Sequence, residues 1–150
     1  MNNYIRFVIC LLLVVVLTAC NDENSDGHNP SVQFEYPVNA SSEEWSSYQT
    51  RSSMVAALRI PEEILIDLTT ERLVELVFEF PLLGDLIAHN STEIALSSFE
   101  NDCDAFRELA NRDEAAKILS NYIANLPEDS YLEIMAAQVL MSSKTIFGEN

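Results

Sequence analysis

Apolar residues spaced three and four apart, interrupted again and again by proline and by helix-capping residues, limit this chain to short helices. Pro61, Pro81 and Pro127 each interrupt such a stripe. Ser41 with Glu44 is read as a capping box ahead of Trp45, with Tyr48, Met54, Val55 and Leu58 as one apolar stripe reaching Arg59. Pro61 opens the next helix, with Glu62 and Glu63 in its first turn and Ile64, Leu65 and Leu68 on its apolar face. Thr69 or Thr70 caps a helix through Leu73, Val74, Leu76, Val77, Phe78 and Phe80, which Pro81 stops. Leu82 to Ala88 forms another, and Ser91 or Thr92 starts one through Ile94, Leu96 and Phe99. Asp102 is read as the cap of a helix with Cys103, Phe106, Leu109 and Ala110, closed at Asn111. Ala115, Ile118, Leu119, Tyr122, Ile123 and Leu126 recur at helical spacing, with Asp113 and Lys117 as an i,i+4 pair. Pro127-Glu128-Asp129 opens the last helix, with Tyr131, Leu132, Met135, Ala136, Val139 and Leu140 inward. The expected fold is all-α, a single small domain over residues 42–150, built as an irregular orthogonal bundle or a short superhelix.

The first residues are set apart from that domain. Arg6 precedes an apolar run from Phe7 to Leu17, which is too short for a permanent membrane span. It is read as a signal peptide over residues 1–19, and Leu17-Thr18-Ala19-Cys20 resembles the lipobox of bacterial lipoproteins. The resemblance implies lipidation of Cys20 and removal of the preceding peptide. Several acyl chains on one residue anchor stably, since each buried methylene contributes about 0.8 kcal/mol. Of 8 Lys+Arg and 24 Asp+Glu only Arg6 would leave with the signal, so 7 against 24 gives −17. That balance disfavours nucleic acid and direct adsorption to anionic headgroups, leaving the lipid as the membrane attachment. Cys10 also leaves with the signal, so Cys103 has no partner for an intrachain disulfide.

Residues 20–41 are read as the lipidated cysteine and an acidic tether, averaging roughly 25 Å in span as a flexible chain. Within it Val32, Phe34, Tyr36 and Val38 alternate with polar residues, which suits a short strand or, more commonly, an extended arm packed on its own domain. Asn21-Asp22-Glu23 is similar to the acidic run that directs some Gram-negative lipoproteins to the cell surface, so the outer membrane or cell surface is the favoured location. Asp22 to Gly27 matches the first half of an EF-hand loop, but Gln33 stands where the bidentate glutamate belongs. No metal site is expected there.

Trp45, Ile60-Pro61-Glu62-Glu63, Thr69 to Glu75, Phe80-Pro81-Leu82-Leu83, Phe106 to Leu109 and Arg112 to Leu119 together resemble an uncharacterised helical domain of secreted bacterial proteins and lipoproteins. The resemblance runs from about Ser42 to Tyr122 and implies export and helices; it transfers no catalytic residue. With only Gly27, Gly84 and Gly148, and His28 and His89 as the only histidines, the chain offers neither a phosphate loop nor a metal motif. No cofactor or nucleotide is expected. Three features remain. Glu71, Glu75 and Glu79 share a helix face, either as its solvated side or as a cation or acid–base set. Cys103 with His89 is a thiol dyad only if the fold joins them, and a lone cysteine among apolar neighbours is more commonly core. Arg107 and Arg112 either fix packing through Glu108, Asp113 or another helix, or receive an acidic ligand. The leading reading is a non-enzymatic binding module of the cell envelope with a protein or polymer partner. The alternative is a hydrolase of glycan or peptidoglycan using Glu71 and Glu75.

Overall fold

A computed structural model describes residues 33–148. The signal peptide, Cys20, the calcium-like stretch up to residue 32 and His28 lie outside the described residues. Among the described residues the fold is all-α, with no strand.

A 3₁₀ turn over Glu43–Ser47 precedes α1 (Arg51–Ala57), α2 (Glu62–Leu65), α3 (Thr70–Glu79), α4 (Asp85–Ala88), α5 (Thr92–Asp102), α6 (Asp104–Leu109), α7 (Ala115–Ala124), α8 (Tyr131–Leu140) and α9 (Lys144–Phe147). The helix at Thr70 begins where local chemistry dictates: the Thr69 hydroxyl accepts from the Arg72 N–H. At the other end Phe80 turns extended ahead of Pro81, which cannot continue the helix. Ser91 caps α5 in the same way. Pro61 stands immediately before α2, where its missing N–H costs nothing.

Helix α3 is the centre of the molecule. Leu73, Val74, Leu76 and Val77 are 0% exposed, and the helix packs on α6 and α7. Its solvent stripe is Glu71, Arg72, Glu75 and Glu79, so one helix carries both the core and the charged face. Leu109 of α6 and Leu119 of α7 close the core from the facing side. Helix α8 packs on α4 and α5, and α9 packs on α7.

The folded part starts ahead of Ser42, the boundary expected from sequence. Phe34, Tyr36 and Val38 alternate inward along an extended arm with no strand partner, and Val38 is buried. The Tyr36 hydroxyl donates to the Leu76 carbonyl at 3.2 Å, and Arg72 donates to the Phe34 carbonyl at 2.7 Å. From the arm a chain of edge-on rings runs inward, Phe34 to Tyr36 to Phe80 to Phe99 to Phe106, at centroid distances of 5.4–5.5 Å. The segment is thus an extended arm packed on its own domain, the commoner of the two expectations for it, inside the stretch read as tether.

Several local expectations are corrected. Ser41 and Glu44 form no capping box; Ser41 bonds Asn39 instead. The capping box is Thr50 with Ser53, so the single stripe expected up to Arg59 divides into the 3₁₀ turn and α1. Asp102 ends α5 instead of capping α6, whose preceding residue is Cys103. Lys117 reaches Glu114 at 3.6 Å, not Asp113, in an exposed pair that contributes little. Tyr131, Leu132 and Met135 face solvent at 75, 41 and 48% exposure, because Ala136, Ala137 and Leu140 already fill the face that α8 turns to the core. Helix α9 was not expected; Ser143 caps it and Gly148, at φ 77°, closes it.

Candidate functional site

The acidic stripe of α3 borders two grooves. On the arm side a groove of about 510 Å³ lies among Phe34, Tyr36, Asn39, Arg72, Glu75 and Glu79. Arg72 occupies it with a fan of hydrogen bonds, to Glu75 at 2.8 Å and to both oxygens of Glu79 at 2.9 Å, as well as to the arm. A guanidinium so engaged is a clamp holding the arm to the helix.

On the α7 side a groove of about 470 Å³ runs between Glu71 and Glu75 on one wall and Ile118, Tyr122, Leu126 and Pro127 on the other. Phe78 stacks on Tyr122 at 4.8 Å and fixes that ring. Burial, and then the charges of Glu75, Glu79 and Glu133, push the Tyr122 hydroxyl above its ordinary pKa. Glu71 makes no ion pair among the described residues. The three carboxylates expected along one face are thus unequal: Glu75 and Glu79 share Arg72, while Glu71 stands alone and exposed. Glu71 and Glu75 line an open groove rather than an enclosed cleft.

Cys103 and His89 do not meet. Cys103 is 0% exposed, and its thiol is pushed up to about 12 by burial. His89 is exposed at the end of α4. The thiol is a core group beside Tyr36, whose hydroxyl is itself driven far up by burial and by that thiol.

Arg107 and Arg112 are placed by packing, with partners partly different from those expected. Arg112, 11% exposed, binds Glu108 through its Nε at 2.8 Å and reaches the Leu65 and Ile66 carbonyls at the end of α2. Arg107 binds Asp104 rather than Glu108 or Asp113. Asp104 itself escaped sequence reasoning. It is 4% exposed and accepts from Arg59 at 2.6 Å, from Arg107 and from the Ile60 N–H at 3.0 Å. An acid inside the apolar run Cys103 to Phe106 was its only signal. Arg51, bound to Asp85 and to Asp102, extends the same charged seam from α1 to α4 and α5.

Among the described residues no group of three or more His, Cys, Asp or Glu side chains is arranged to hold a metal ion. Among them, too, no helix is long and apolar enough to cross a membrane. No protein-family model, curated protein or solved structure matches the chain.

Proposed function

We propose that the chain is an exported lipoprotein, anchored through acylated Cys20 to the outer membrane or cell surface, whose helical domain is a non-enzymatic binding module of the cell envelope. The anchor rests on sequence, an apolar run ending in Leu17-Thr18-Ala19-Cys20. The binding role rests on one observation: the outer face of α8. Tyr131, Leu132 and Met135 lie exposed on a helix whose inward face is already filled, and Glu133 is its only charged residue. A helix apolar on both sides has more hydrophobic surface than its own domain covers, which is the signature of a partner surface. The resemblance to a helical domain of secreted bacterial proteins fits this reading.

The test is a photo-crosslinking side chain at the exposed Gln138, in intact cells, with and without Tyr131→Ser and Met135→Ser. A discrete adduct that disappears in the double variant is expected, with folding preserved because exposed substitutions shift stability by only about 0.5 kcal/mol. An adduct indifferent to both substitutions, or none, would overturn the assignment of this face.

A further inference from the structure

The groove between α3 and α7 carries a more specific message than the apolar face of α8. We infer that it receives a basic side chain, lysine or arginine, presented by an apolar-flanked segment of a partner protein. This inference rests on the reading of the domain as a binding module and names the chemistry of what it binds.

The two walls are complementary to the two halves of such a side chain. Lysine and arginine have an aliphatic stem that buries on apolar surface and a charged head that does not. Ile118, Leu126 and Pro127 provide the surface for the stem, and Glu71, which makes no ion pair among the described residues, stands where the head would lie, with Glu75, shared with Arg72, one turn away on α3. The Tyr122 ring, covered on one face by Phe78, also lines this wall. No lysine or arginine lines this groove, in contrast to the arm groove, where Arg72 already fills that role. After burial, the charges felt at Tyr122 are those of Glu75, Glu79 and Glu133, opposed by the Arg72 guanidinium. A volume of about 470 Å³ lies within the range of roughly 300–1,000 Å³ that binding pockets occupy. It exceeds what one stem needs, so the residues flanking the basic one enter as well. Asn121, exposed along the groove, offers a side-chain amide to the backbone of that segment, whereas the Asn125 amide donates to the Asn121 carbonyl at 2.7 Å. An anionic or neutral ligand would leave Glu71 unmatched. A metal ion would find only two carboxylates here, one of them already held by Arg72.

The probe is a short fluorescent peptide of alternating lysine and leucine, titrated with the full-length chain in a neutral detergent, with micelles alone as the blank. Glu71→Gln with Glu75→Gln is compared with Glu62→Gln and Glu63→Gln on the exposed start of α2, which changes the net charge equally. Asn121→Trp, at an exposed rim position, fills the groove without altering charge. The groove pair should weaken binding about tenfold, equivalent to about 1.4 kcal/mol, the α2 pair less than about twofold, and Asn121→Trp about as much as the groove pair. Thermal melts of each variant confirm the fold; if loss of the Glu75 to Arg72 contact unfolds the protein, Asn121→Trp decides alone. Equal loss from both acid pairs would mean general attraction to an acidic protein and would overturn the inference, as would undiminished binding by Asn121→Trp. Peptide binding that fails while the α8 crosslink persists removes this groove and leaves the binding-module reading intact; the reverse result removes the α8 surface and leaves the groove.

Discussion

At Asp104 a carboxylate is almost withdrawn from water and held by two arginines and a backbone N–H. Desolvating a charge is costly unless every lone pair is matched, and here α6 is tied by those bonds to Ile60 and to Arg59. Asp104→Ala should therefore lower unfolding stability by about 2–3 kcal/mol in urea titrations, the half-exposed arginines keeping the loss below that of a wholly buried pair. Asp104→Asn, which keeps an acceptor for the Ile60 N–H, should lose less. An acid within the apolar run Cys103 to Phe106 is the only local sign of this, because the partner Arg59 lies far along the chain. Its neighbour Cys103 gives a pH signature. The unfolded thiol ionises near its ordinary value of 9.0, whereas the folded thiol stays neutral to about 12. The folded state thus keeps a proton that the unfolded state sheds, and stability falls as pH rises between those values, by at most about 1.4 kcal/mol per pH unit. Tyr36, raised in the same direction, adds to the fall above its own ordinary value of 10.0. Denaturation series above pH 9 should show a shallower slope in Cys103→Ala than in the parent; equal slopes would contradict the assignment.

Several helix starts followed local chemistry closely enough to be legible, but those expected at Ser41, Asp102 and Pro127 lie elsewhere, and helix faces were legible only in part. Pro61, Thr69, Pro81 and Ser91 act through their own backbone and nearest neighbours, so the sequence placed the boundaries they set to within a residue, and the structure selects Thr69 over Thr70 and Ser91 over Thr92. The division of the first stripe was hidden because Ser41 with Glu44 matches the capping-box pattern, whereas the box that forms is Thr50 with Ser53, nine residues on. Thr50→Ala should cost about 1 kcal/mol and Ser41→Ala only a few tenths, measured by thermal melts. For a different reason, α8 turns Ala136 and Leu140 inward as expected but not Tyr131, Leu132 and Met135. Its apolar residues surround the helix, so their spacing cannot say which side meets α4 and α5, and the small side chains Ala136 and Ala137 were the ones that fit. The acidic face of α3 was legible as a stripe. Its division between Arg72 and an open groove depends on α7 and on the arm, which no local pattern encodes.

At the scale of the whole molecule, charge and anchor are linked. A chain of −17 after loss of Arg6 is repelled by anionic membrane surfaces, so in the proposed function acylation alone holds it there. Cys20→Ala should move the protein out of the membrane fraction or leave it unprocessed, as read by fractionation and mass; a processed, membrane-bound variant would refute the anchor. The arm then acquires a mechanical meaning. If the proposed anchor holds, a pull along the chain from Cys20 would meet the arm's attachments in order: the Phe34 carbonyl held by Arg72, the Tyr36 hydroxyl on Leu76, then buried Val38. Fastenings loaded one after another part singly, at lower force than a set loaded together. Under drag the arm would peel and lengthen the leash while α3 and its neighbours stayed folded, making it a shock absorber between the membrane and whatever the domain grips.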